Sequence, residues 1–108
     1  MRRIKLEKID THFNEKLKNE EFRKNYEYER AKVSLAQKIA EMREKEHLKQ
    51  VDFAKKLGVS QQFVSQIETA QEKNLTLNTL VKIAESLGRG VKISFPKISN
   101  KTSILNIA

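Results

Sequence analysis

Residues 49–68 read Lys-Gln-Val-Asp-Phe-Ala-Lys-Lys-Leu-Gly-Val-Ser-Gln-Gln-Phe-Val-Ser-Gln-Ile-Glu. Phe53, Ala54 and Leu57 fall on one face of a helix from about Gln50 to Leu57, and Val64 and Ile67 fall on one face of a second, from Gln61 to about Thr69. Gly58 stands where the chain must turn sharply, a place that favours a residue tolerant of positive φ. Ser60 is a good N-cap for the second helix. With the apolar residues turned inward, Gln61, Gln62 and Gln66 are left facing outward.

On the N-terminal side, Val33, Leu35, Ala36, Ile39 and Met42 mark a helix from about Val33 to Glu46. Earlier still, Ile9, Phe13 and Leu17 recur every four residues and Phe22 and Tyr26 repeat the step, which predicts short amphipathic helices. No Gly or Pro separates Phe22–Arg30 from the Val33 helix, so those two segments can also run on as one. Such a sparse stripe makes no core alone and must lie against its own domain, a second copy or another protein.

On the C-terminal side, residues 70–75 are polar and read as a loop. Thr76 can cap a helix that carries Leu80, Ile83, Ala84 and Leu87 on one face, closed by Gly88 and Gly90. Val91, Ile93 and Phe95 then alternate with Lys92 and Ser94, the period of a short strand, which Pro96 stops. That strand has no partner within the chain, and its expected partner is a symmetry mate or a strand of another protein. The expected organisation is an N-terminal helical arm at 1–32, a helical domain at 33–88, a strand at 89–96 and a flexible tail at 97–108.

The length of 108 residues suits one small domain plus an appendage, with no room for a large substrate pocket. A net charge of +8 with a third of the residues charged points to a polyanionic partner. The charge is spread along the chain, net +3 over residues 1–32 and +5 over 33–108. Cysteine is absent, so disulfides and thiolate metal sites are excluded. His12 and His47 are isolated, and no phosphate-cradling glycine loop or paired acids accompany them; no enzyme, cofactor or metal is expected. No apolar run approaches the roughly 20 residues of a membrane span, the N-terminus lacks a signal-peptide core, and Glu7 and Asp10 interrupt the basic face that a membrane-surface helix would need. A cytoplasmic location is expected.

Two helices joined by a tight turn, the second bearing three outward glutamines, form the layout of a DNA-reading helix-turn-helix. A glutamine amide can donate to N7 and accept from N6 of adenine, so Gln61, Gln62 and Gln66 are the candidate base readers, each pairing being worth about 1–3 kcal/mol of discrimination. Phe63 on the same helix could touch a thymine methyl, pack inward or meet a dimer partner. Lys49, Lys55 and Lys56 supply positive charge near the groove.

The stretch from Leu35 to Leu87 resembles the helix-turn-helix domain of the Cro/C1 (XRE) phage-repressor family. The combination Gln50, Ala54, Leu57-Gly58-Val59-Ser60, Val64, Ser65 and Ile67-Glu68 carries the resemblance. It implies a mainly α, repressor-like helical bundle in which Gln50 meets a DNA phosphate and Gln61, Gln62 and Gln66 occupy the base-reading positions. Arg43 and Glu68 match positions that form a partly buried ion pair, and Lys73 matches a backbone-contacting position in the loop, with Lys49 a further candidate for phosphate contact through its charge near the groove. Two departures stand out: Lys49 replaces the usual Thr or Ser cap, and the loop Thr69-Ala70-Gln71-Glu72 lacks the usual glycine.

The arm from Phe13-Asn14-Glu15-Lys16-Leu17 through Phe22-Arg23-Lys24-Asn25-Tyr26, with the ending Gly90-Val91-Lys92-Ile93-Ser94-Phe95, is similar to HigA-type antitoxins of bacterial type II toxin–antitoxin modules. This implies a homodimer that binds double-stranded operator DNA, represses its own operon and neutralises a RelE/HigB-like ribonuclease toxin. Ile9, Phe13, Leu17, Phe22 and Tyr26 would then be toxin anchors; alternatively, Phe22 and Tyr26, with Tyr28, cover the first helix of their own domain. A stand-alone phage-type repressor is the alternative function, and an interaction module that has lost DNA binding is a third.

Overall fold

The computed structural model describes residues 4–73 and 75–98, with side chains from Lys18 onward. These residues form four helices: α1 (Ile4–Lys45), α2 (Gln50–Leu57), α3 (Gln61–Glu68) and α4 (Leu77–Ser86). The first is a single helix of 42 residues: Phe22–Arg30 runs on into the Val33 segment, as the lack of Gly and Pro allowed, and the short separate helices expected in the arm are not found. Its sequence contains no Gly or Pro to break it, and i,i+3 pairs such as Glu29–Lys32, 3.7 Å apart, add a little to a backbone that already satisfies itself. The 63 Å long axis of the molecule is that of this helix at about 1.5 Å per residue. It crosses residues 32 and 33 without a break, so arm and domain share one helix.

The core takes one fully buried large side chain from each helix: Ile39, Phe53, Val64 and Ile83. At roughly 1.5–3 kcal/mol each, these four hold the bundle in register. Ala36, Ala54, Ile67, Ala84 and Leu87 complete the buried set, and Leu35, Met42, Leu57 and Leu80 pack against it half-buried. Val33 stays 45% exposed, because it is turned away from the face of α1 on which Leu35, Ala36 and Ile39 meet the bundle. Leu48, Val59 and Leu75 join the core from the loops, a contribution that helical periodicity does not register.

Every helix ends in the same way. The pairs His47 N–H to Glu44 O and Leu48 N–H to Arg43 O close α1, and Gly58 N–H to Lys55 O with Val59 N–H to Ala54 O closes α2. Ala70 N–H to Ile67 O with Gln71 N–H to Gln66 O closes α3, and Gly88 N–H to Glu85 O with Arg89 N–H to Ala84 O closes α4. Each is a Schellman turn with a left-handed residue after the helix. Glycine takes that place at Gly58 (φ 73) and Gly88 (φ 70), whereas His47 (φ 57) and Ala70 (φ 60) hold it with a side chain. The loop after α3 therefore keeps a glycine-type turn without the glycine.

The strand expected at Val91–Phe95 is not formed: among the described residues there is no strand, and residues 88–98 are exposed coil. A strand exists only through a ladder to a neighbour, and the described residues provide none. Of the tail expected at 97–108, residues 99–108 lie outside the described residues.

Candidate nucleic-acid interface

The interface is built on the α2–α3 pair. Gly58 reverses the chain in a left-handed conformation with φ 73 and ψ 32, and Ser60 then starts α3, its hydroxyl accepting the Phe63 N–H at 3.0 Å. Val64 and Ile67 lock the inner face of α3 into the core. With those two inward, Gln62, Ser65 and Gln66 share the outer face at i, i+3 and i+4, and Gln61 flanks it at the first turn. Gln61 and Gln62 are exposed and Gln66 is half-buried. Among the described residues none of these three amide groups has a hydrogen-bond partner within the chain, so their donors and acceptors are available. Phe63 packs half-buried against the core, which withdraws it from the outer face.

A network of charged and polar groups fixes the angle between α1, α2 and α3. Arg43, in the last turn of α1, donates from Nε to Glu68 Oε2 at 2.7 Å and from Nη2 to Glu68 Oε1 at 3.0 Å. Its Nη1 donates to the Leu48 carbonyl at 2.6 Å. The side chains are 11% and 5% exposed, so this is a bidentate pair largely shielded from water, where such bonds are strong and orientation-specific. The hydrogen bond to Glu68 raises the Arg43 pKa, with burial acting the other way.

Gln50 enters the same network, Nε2 donating to Glu68 Oε1 at 3.1 Å. One amide hydrogen is thereby committed to holding α2 against α3, while Oε1 of Gln50 and its other hydrogen have no hydrogen bond among the described residues. Periodicity did not reveal this bond, nor the Leu48 carbonyl as an Arg43 partner. The signal was an arginine, a glutamine and a glutamate on three successive helices, each able to satisfy the others.

Lys49 precedes α2 with extended backbone and makes no capping hydrogen bond. It is exposed, as are Lys55 and Lys56 in the last turn of α2 and Lys73 in the loop after α3. Asn74, next to Lys73, lies outside the described residues.

The arm residues are placed differently. Phe22 and Tyr26 are 71% and 54% exposed and stack on each other with ring centroids 6.3 Å apart, Arg30 lying 5.8 Å from the Tyr26 ring. They do not cover the first helix of the domain, because they sit on α1 before it reaches the bundle. The side chains of Ile9, Phe13 and Leu17 lie outside the described residues. At the root of the arm an apolar cleft of about 210 Å³ opens between Tyr28, Leu35, Ile67, Leu75 and Leu80.

A short helix packed across a second one, with open amide groups on its outer face and cations around it, defines a DNA-binding regulator of the helix-turn-helix class. The helix-turn-helix family model matches residues 39–92, half of the chain, and the chain belongs to that family in its Cro/C1 (XRE) form. Comparison with curated proteins gives no significant match, and comparison with solved structures gives none either. Among the described residues no helix is long and apolar enough to cross a membrane.

Proposed function

We propose that this chain is the antitoxin of a type II toxin–antitoxin module: it dimerises on operator DNA to repress its own operon and holds a RelE/HigB-like ribonuclease toxin through its N-terminal arm. DNA reading by Gln61, Gln62 and Gln66 follows from their place on the outer face of α3. Lys49, Lys73 and the remaining hydrogen-bond capacity of Gln50 serve the phosphates on either side.

The observation that carries the toxin half is the arm itself. From Lys18 to Tyr26 every residue is exposed, and the stack of Phe22 on Tyr26 gives it apolar surface that nothing among the described residues covers. Aromatic side chains on one face of an exposed helix suit a partner's groove. In the stand-alone repressor the same surface would only extend the dimer.

The test co-expresses the chain with a short, basic RelE-like reading frame beside its gene. The wild type is expected to restore growth, to co-purify with the toxin and to shift a fragment of its own promoter. Phe22→Ala with Tyr26→Ala should lose rescue and keep the shift, while Gln61, Gln62 and Gln66 all changed to Ala should lose the shift and keep rescue. Full rescue by the aromatic double variant refutes the arm as the toxin site, and an unaltered footprint from the triple variant refutes the reading helix.

A further inference from the structure

Three hydrogen bonds converge on the Glu68 carboxylate, two from Arg43 at 2.7 and 3.0 Å and one from Gln50 Nε2 at 3.1 Å. Gln50 opens α2 and Glu68 closes α3, so the last of these bonds ties the start of one helix to the end of the next. Building on the phosphate contact proposed above for Gln50, we infer that Glu68 is its positioning residue: Glu68 holds the Gln50 amide one way round, so that the remaining N–H of Gln50 serves a phosphate, and Arg43 lets it do so by cancelling its charge.

Direction is the difficulty for a glutamine. Its amide has a donor end and an acceptor end that are nearly the same in shape, whereas phosphate oxygens at neutral pH only accept. Turned the wrong way, Oε1 faces the phosphate and repels it. A carboxylate settles the choice because it too only accepts, so the atom facing Glu68 must be Nε2. One of the two hydrogens on Nε2 is given to Glu68, and the other has no hydrogen bond among the described residues. The same bond removes rotamer freedom from a long side chain before DNA arrives, a loss that would otherwise weaken binding.

Charge is the second difficulty, since a bare carboxylate behind a phosphate contact repels the phosphate. Arg43 covers both oxygens of Glu68, Nε on Oε2 and Nη2 on Oε1, and its Nη1 is held by the Leu48 carbonyl at 2.6 Å. With all three nitrogens engaged and the side chain 11% exposed, Arg43 neutralises Glu68 without itself reaching DNA. The cation beside Gln50 that can reach a phosphate is Lys49, which is exposed.

The test is a double-mutant cycle on promoter DNA with the full chain, read at a temperature where circular dichroism shows every variant folded. Glu68→Gln suits it, because an amide of the same size pairs with Gln50 either way round. Gln50→Ala should weaken binding about tenfold or more, the worth of a hydrogen bond to a charged group. Glu68→Gln should weaken it to a similar degree, and combined with Gln50→Ala it should weaken it no further. If the Glu68 variants do not fold, the wild type carries the test alone by nuclear magnetic resonance. One side-chain amide hydrogen of Gln50 should exchange slowly in the free protein, and the other should shift when promoter DNA is added.

Unchanged affinity in either single variant, losses that add in the double variant, or two Gln50 amide hydrogens that respond alike to DNA overturn the inference. Additive losses leave Glu68 with a structural role only, because a tilted α3 weakens binding whatever stands at residue 50. A wild type that shifts no promoter fragment removes the operator reading along with the positioning, whereas a wild type that shifts it while the losses add removes the positioning alone.

Discussion

Replacing Glu68 by Gln keeps the side chain's size and removes only its charge and one acceptor. The carboxylate receives three hydrogen bonds, two from Arg43 and one from Gln50. The amide keeps a single oxygen and turns its NH2 toward a guanidinium or an amide that also donates. Removing one partner of a fully buried ion pair costs about 3–5 kcal/mol, because the other charge is left uncompensated. Here the side chains are 11% and 5% exposed and Arg43 keeps its bond to the Leu48 carbonyl, so the expected loss is about 2–3 kcal/mol. For a domain of this size that lowers Tm by roughly 10–20 °C.

Thermal and urea unfolding followed by circular dichroism measures the loss directly. The control is Glu44→Gln, whose carboxylate lies 3.8 Å from Arg43 but is 68% exposed; an exposed pair of that kind is worth less than about 1 kcal/mol. The hydrogen bond to Glu68 raises the pKa of Arg43 above an already high ordinary value. That contribution is fully present below the unfolded pKa and is lost only as pH rises through the higher folded one. The gap between wild type and Glu68→Gln should therefore stay constant from neutrality to mildly alkaline pH. If Glu68→Gln melts within 2 °C of the wild type, the ion pair does not tie α1 to α3 and the reasoning fails.

The two left-handed turns flanking α3 make a matched pair. A Cβ at Gly58 meets nothing within 4 Å, so Gly58→Ala should cost only the conformational strain of φ 73, about 1–2 kcal/mol, whereas Ala70→Gly should relieve much of the same strain and stabilise by about 0.5–1 kcal/mol. Opposite signs in urea titration check both. Lys49→Ser should add the missing cap of α2 and stabilise by about 0.5–1 kcal/mol; an unchanged midpoint would mean that the first turn gains nothing from a side-chain acceptor. If Lys73 meets a phosphate, Lys73→Ala should reduce the slope of log K against log salt for promoter DNA by about 1, and an identical slope removes Lys73 from the contact.

The sequence by itself determined the helices of the domain and their start and stop signals. Phe53, Ala54, Val64, Ile67, Ile83 and Leu87 announce their inward faces through a period of 3.6, Ser60 and Thr76 cap as their chemistry dictates, and Gly58 turns where a residue without Cβ is needed. These are local signals, carried by residues within one or two turns of each other. Whether the arm was several helices or one was less legible, since helix propensity lacks a stop signal when both Gly and Pro are absent.

Only the tertiary structure decided the rest. Gln50 and Glu68 are 18 residues apart and Arg43 and Glu68 are 25 apart, so a hydrogen-bonded network among them exists only once three helices cross. Leu48, Val59 and Leu75 are loop residues drawn into the core by packing rather than by any period of their own. Phe63 turned inward, and Phe22 and Tyr26 stayed in solvent, because the bundle closes over the former and ends before the latter. A strand's existence depends on another strand, and no reading of Val91–Phe95 alone can supply the partner. Local chemistry fixes each helix and its ends; the sharing of donors, acceptors and apolar faces between distant residues is settled only when they meet in space.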